Sequence, residues 1–309
     1  MTRPVLSLMG LSVASAALSL SAPIAGAVVA TGSGWRRLCG VGIALLAWVA
    51  PWVAPAAWPG LRTMFVLAAV VVTMRIIEVA RMDWSLARRV VHALSLMDPR
   101  RMHSVPRRLD LRGLAVCTAW SAVGAAGIVL VIRASPAAGS VGYWSMRWLG
   151  ALVAAYAVTE ATYVGLLPAI YRGLGRELPR LHRSPGAARS VTEFWGSRWN
   201  LTITHWFRQC IFTPLARAGW PRAGMALAFA ASAVMHAYIA LVAAGLVMAG
   251  IMLAYFLVQG ALALIERPLG VPRWSPIAGH AWTIALMTAT SPMFTEPFLR
   301  CVGIGPSAG

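Results

Sequence analysis

The chain contains no lysine and little acid. All 27 basic residues are arginine, set against nine carboxylates, for a formal charge of +18. Charge itself is scarce, at 12% of the 309 residues, while 59% are hydrophobic. Soluble domains carry roughly 25% charged residues, so this chain has far less polar surface to offer water. Its four cysteines, Cys39, Cys117, Cys210 and Cys301, form no C-x-x-C pair. That excludes the usual zinc and disulfide frameworks, and they read as small apolar fillers. Walker A, H-E-x-x-H and G-x-S-x-G strings are missing, so metal and serine-nucleophile chemistry have no sequence support. No metal ion is expected.

What fills the chain is long apolar runs, at 5–30, 39–58, 64–80, 113–132, 148–170, 223–247, 251–265 and 277–298. About 20 apolar residues span the hydrocarbon core of a bilayer. Helix is the only reading for such spans, because open strands in lipid leave backbone groups unpaired. The expected fold class is therefore all-α, a polytopic transmembrane helical bundle of about eight spans, integral to the membrane. One domain is expected over 1–309, with N-terminal spans and a basic loop in 1–112.

The arginines fall between these runs. They follow the first span as Arg36 and Arg37, crowd 81–112 with eight and 172–222 with nine, and flank a Pro-rich link as Arg267 and Arg273. Interspersed in this way, they fit the bias of basic loops to the cytoplasmic side better than a nucleic-acid face, and no nucleic-acid partner is expected. Eight crossings with both termini outside satisfy the rule, with short connectors at 59–62 and 248–250. The connector 133–147, with Arg133 and Arg147, fits it poorly. Ala25, Gly26 and Ala27 look like a signal-peptidase site, but cleavage there would leave Arg36 and Arg37 on the wrong side, so the first span is expected to be retained.

The segment 190–214, S-V-T-E-F-W-G-S-R-W-N-L-T-I-T-H-W-F-R-Q-C-I-F-T-P, is too polar for a crossing and too aromatic for a free loop. Tryptophan sits well at headgroup depth. Either an interfacial amphipathic helix or a re-entrant element lining a cavity accounts for it, and in the second case its arginines are suited to phosphates. Further on, His236 is the one ionisable group in the apolar run 223–247, about 20 Å along the helix from Ala223 at 1.5 Å per residue. Such a residue is a functional candidate, or a core histidine bonded to a neighbouring helix.

These strings resemble the wax synthase branch of the membrane-bound O-acyltransferase (MBOAT) superfamily. The carriers are F-W-G-S-R-W-N-L, Arg208, Phe212-Thr213-Pro214 and S-A-V-M-H, with a looser likeness at T-S-P-M-F-T-E-P-F. The motif-bearing catalytic region is thus expected in 185–300. The resemblance implies transfer of an acyl group from acyl-CoA, as co-substrate and with no cofactor, to a hydrophobic alcohol among membrane lipids. It puts the catalytic roles on His236 and Asn200. Ala233 replaces the family's glycine, and Ala237 an acidic residue common in plant members; both bear on substrate class more than on reaction. A fatty alcohol giving a wax ester, or a terpenoid, sterol or other metabolite hydroxyl, would serve as acceptor.

A positioned base that takes the alcohol's proton accelerates attack by roughly 10²–10⁴-fold, and imidazole, with an ordinary pKa of about 6.5, suits the task. Asn200 offers a donor for the thioester carbonyl. Trp195, Arg198, Trp199, His205 and Arg208 are expected substrate contacts. Glu160 is either a proton relay or an end-of-helix acid paired to arginine, and Arg75 and Glu78 are expected to pair along one helix. Five residues separate His92 from Asp98, one too many for the H-x4-D acyltransferase signature; H-H-x3-D-G is absent too. A proton-coupled transporter using His236 and Glu160 is the rival reading, weakened by the lack of internal repeats and interrupted helix pairs; a non-catalytic scaffold is another.

Overall fold

The computed structural model describes residues 3–30, 34–95, 97–134 and 139–305. Helix dominates it. Seven stretches among these residues are long and apolar enough to cross a bilayer: Ser7–Val29, Trp35–Val53, Pro59–Val79, Leu111–Arg133, Ser140–Gly173, Pro221–Ala244 and Leu246–Glu266. The eighth expected run forms the 26-residue helix Pro276–Cys301. At 1.5 Å per residue it has the length, but its threonines, His280 and Glu296 leave it less apolar than the others.

Two expected connectors move. The turn before the third span lies at 54–58, and Pro59 begins the helix, where its fixed φ and missing N–H cost nothing. Residues 248–250 are helical; the break comes at Gly245, whose φ of +89° suits glycine alone. The connector 133–147 shrinks too, its residues 135–138 lying outside the described ones. Arg147 is inside the helix Gly139–Glu160, 2% exposed and 2.8 Å from Glu296. An arginine that fits the loop-charge rule poorly is thus a buried ion-pair partner.

Contacts divide the chain into two compact units. One comprises 1–101, 238–249 and 300–304. Its core is built on alanine and β-branched residues, including Ala27, Ala44, Ala47, Ala69, Ile76 and Val79, because small side chains let helices in lipid approach closely. Ala25, Gly26 and Ala27 lie in the closing turns of the helix Arg3–Val29, and a Cβ on Gly26 would meet the Gly40 carbonyl at 2.6 Å. Arg75 and Glu78 pair at 3.1 Å as their spacing implied. His92, Asp98 and Arg100 join them, with Glu78 receiving His92 at 2.7 Å and Arg100 at 2.8 Å.

The other unit comprises 102–237, 250–299 and 305–309. Leu111–Arg133 crosses Gly139–Glu160 at a glycine contact, where a Cβ on Gly127 would meet the Gly150 oxygen at 2.7 Å. The chain is not wholly helical: His103–Ser104 pairs antiparallel with Arg176–Glu177. This rung joins the two arginine-rich loops. Arg172 strengthens the link, meeting Asp110 at 2.8 Å and Glu177 at 2.9 Å.

Candidate active site

The aromatic segment is a broken helical element, not a span. A turn at Val191–Glu193 runs into π-helix at Phe194–Arg198, the chain reverses at Asn200, and helix resumes over Leu201–Phe207, π-helix over Arg208–Phe212 and helix over Thr213–Arg217. A further π-helical stretch, Ala161–Leu166, follows Glu160. Such stretches are rare and concentrate at functional sites.

Its first turn is anchored by Glu266, 1% exposed, which accepts from the N–H groups of Val191 at 2.5 Å and Thr192 at 2.9 Å and from Trp282 Nε1 at 3.1 Å. A carboxylate at unpaired helical N–H groups satisfies both. Trp195 donates its indole N–H to Gln259 at 3.0 Å. Arg198 is committed to structure: its guanidinium reaches Glu193 at 2.7 Å and the carbonyls of Arg183 and Ser184 at 3.1 Å. Burial pushes the Glu193 carboxyl up, but the Arg189 N–H and Arg198 more than offset this and hold it below its ordinary range.

Asn200 is the chain's only asparagine. It takes φ 41° and ψ 62°, and its side-chain oxygen caps the next helix by accepting from the Ile203 N–H at 3.3 Å. Asparagine tolerates this left-handed conformation better than most residues. With the oxygen so used, the amide NH2 remains as a donor. His205 and Arg208 are exposed, and Arg208 reaches the Gly196 carbonyl at 3.3 Å.

His236 lies in the span Pro221–Ala244, half-buried. Its Nδ1 is 2.8 Å from the Ser232 carbonyl oxygen, one turn back. A carbonyl only accepts, so the hydrogen sits on Nδ1 and Nε2 carries the lone pair. The ring stacks on Phe256 at 3.9 Å, and Phe256 meets Trp195 at 5.6 Å. Two expected residues, Trp195 and His236, are thereby brought to one aromatic wall. No hydrogen bond joins His236 to Asn200. Where an acid at 237 was missing, the backbone carbonyl of Ser232 holds the imidazole instead. Ala233 is fully buried.

Residues 178–258 match the model of the family described as membrane bound O-acyl transferase. The motif-bearing segment is similar to membrane bound O-acyl transferases. The curated relatives agree. The chain is 28% identical over 151 residues to probable long-chain-alcohol O-fatty-acyltransferase 2 of Arabidopsis thaliana, covering 45% of this chain and 43% of that one. It is 25% identical over 156 residues to probable long-chain-alcohol O-fatty-acyltransferase 3 of the same plant, covering 46% of each. The chain thus spans less than half the length of the curated relatives it matches. Together, the family match and the seven spans make it an integral, multi-pass membrane protein. The O-acyl transferase match contains Trp195, Arg198, Asn200, His205, Arg208, His236 and Phe256, and stops short of Glu266.

One residue within the match was not anticipated. His182 is buried, its Nδ1 3.1 Å from Glu160, so Glu160 pairs with a histidine and not with the arginine expected of an end-of-helix acid. The two line a cavity of about 540 Å³ shared with Tyr156 and Tyr163 and rimmed by Arg112 and Arg180. Burial pushes the His182 imidazole below its ordinary pKa, and Glu160 restores only part. In sequence, His182 is one more polar residue in a basic loop; 22 positions separate it from its partner, a spacing with no local meaning. In the first unit, Glu78, His92 and Asp98 bring ligand atoms within 4.8 Å of one another. Arg75 and Arg100 already lie on the same oxygens, so those carboxylates are balanced by guanidinium groups.

Proposed function

We propose that the protein is a membrane-embedded O-acyltransferase that carries an acyl group from acyl-CoA to the hydroxyl of a long-chain alcohol. The observation that supports it best is the unused Nε2 lone pair of His236, in a span and against the aromatic wall that the motif residue Trp195 also faces. The names of the curated relatives favour a long-chain alcohol over other hydroxyls.

Nε2 of His236 accepts the hydroxyl proton as the alcohol oxygen attacks the thioester carbonyl. The Asn200 NH2 donates to the oxyanion that forms. Collapse breaks the C–S bond, and the leaving thiolate takes the proton from the imidazolium, giving ester and CoA thiol. An apolar surround keeps water from competing for the thioester. Exposed Arg208 is available to the donor's phosphates, whereas Arg198 is held by Glu193.

The test is purified protein in lipid nanodiscs with radiolabelled palmitoyl-CoA and hexadecanol. Labelled wax ester should form, and His236→Ala should lower turnover by about 10²–10⁴-fold, the usual worth of a general base. Undiminished turnover in that variant, or no ester with any acyl-CoA and alcohol offered, would overturn the reading.

A further inference from the structure

His182 and Glu160 take no part in the chemistry proposed above, yet they stand behind the residue that does. The His182 ring is stacked on Trp199 with centroids 4.4 Å apart and planes 17° apart. Trp199 also stacks on Phe194 at 5.7 Å and on Tyr156 at 6.3 Å. Backbone bonds tie the same two segments on either side of this stack. Arg183 N–H donates to the Arg198 carbonyl at 2.9 Å, and Leu201 N–H to the Leu181 carbonyl at 2.7 Å. The rungs start from the residues flanking His182 and end on those flanking Trp199 and Asn200. Between them the chain makes its left-handed turn at Asn200, a conformation that persists only when its surroundings over-determine it.

The histidine has its own anchor. Nδ1 meets Glu160, which is 8% exposed at the end of the helix Gly139–Glu160, where the π-helical turn begins. His182 Nε2 is sealed from solvent and has no partner among the described residues, which keeps it out of proton transfer with a substrate.

We infer that Glu160 and His182 are positioning residues for Asn200: the carboxylate fixes the imidazole, the imidazole fixes Trp199, and the paired backbones hold the Asn200 amide where it can donate. The inference rests on the catalytic role proposed for Asn200. Its geometry stands apart from that role and has a readout of its own.

The experiment compares Glu160→Ala, Glu160→Gln, His182→Ala and the double alanine variant in nanodiscs. Glutamine keeps an acceptor for Nδ1–H, and alanine does not. Misplacing a reacting group by about 1 Å costs up to 10²-fold, so kcat should fall about 10–100-fold in each alanine variant, with KM for palmitoyl-CoA and hexadecanol nearly unchanged. Glu160→Gln should stay close to wild type, and the double variant should be no worse than either single one, because both break one strut. Hydrogen exchange of the peptide over 198–204 should quicken in the alanine variants and not in Glu160→Gln. Unchanged exchange in His182→Ala overturns the inference, whatever the turnover. So does unchanged kcat in that variant while Asn200→Ala is inactive. If Asn200→Ala retains full turnover but the exchange result holds, the acyltransfer role of Asn200 fails and the strut stands.

Discussion

His92 and His236 are both helical histidines in an apolar chain, and they are held in opposite ways. His92 sits in the first unit, 2% exposed, with Nε2 on Glu78 and two guanidinium groups on the neighbouring carboxylates. Arg75 adds its Nε–H to the Ser95 carbonyl at 3.2 Å. In the second unit, His236 meets the carbonyl and the hydroxyl of Ser232 in its own helix and one aromatic face, and among the described residues no ion pair includes it. The first histidine is committed to holding the helix Leu86–Leu94 to Pro59–Val79 through balanced charge. The second keeps a lone pair. Buried charge networks are expensive to break, whereas a lone imidazole on a carbonyl contributes little to stability and is free to accept a proton. Charged partners mark construction here, and their absence marks the candidate for chemistry.

The same substitution at both positions should separate these roles. His236→Ala should remove most turnover, by about 10²–10⁴-fold, and leave the unfolding midpoint in detergent nearly where it was. His92→Ala should do the reverse, keeping turnover per folded molecule while lowering the midpoint. Equal loss of activity in both, at equal stability, would erase the distinction. A smaller effect comes from within the knot. Glu78→Ala strands Arg75, His92 and Arg100 without their shared acceptor, and removing one partner from a buried ionic group costs about 3–5 kcal/mol. Glu78→Gln keeps an acceptor and should lose less. Urea or thermal unfolding of the two variants checks the order.

The membrane spans were legible because their signal is local and repeated: apolar length alone marks them. Their ends were less so. The apolar run continues through Met248, Ala249 and Gly250, and only the backbone at Gly245 shows where the helix stops. The motif string singled out the broken element around Asn200 and the span that carries His236, and spacing on one helix was enough to pair Arg75 with Glu78. Pairings across the sequence were not legible. Arg147 with Glu296, Glu266 with Val191 and His182 with Glu160 each join residues dozens of positions or more apart, apart from the last at 22. Nothing in residue type or spacing selects those partners; the packing of helices does. Phe256, which links Trp195 to His236, is one aromatic among many in an apolar span, and only its ring contacts single it out.

The smallest effect concerns His182 and pH. Burial lowers its pKa in the folded protein below the ordinary 6.5, and Glu160 offsets only part. As pH falls below 6.5 the unfolded chain gains a proton that the folded one still refuses. Stability is therefore full above about 6.5 and declines through the window down to the lowered value, where both forms are protonated. Glu193 behaves as a separate step at lower pH, since its carboxyl is depressed from 4.5 and its contribution fades only as acid neutralises it. Exchange protection over the 198–204 peptide should thus weaken first as pH falls below about 6.5, and His182→Asn should flatten that first step and leave the lower one. A decline confined to the lower window in the unmodified protein would mean that His182 is as easily protonated folded as unfolded, and its buried contact with Glu160 would lose its meaning as a neutral strut.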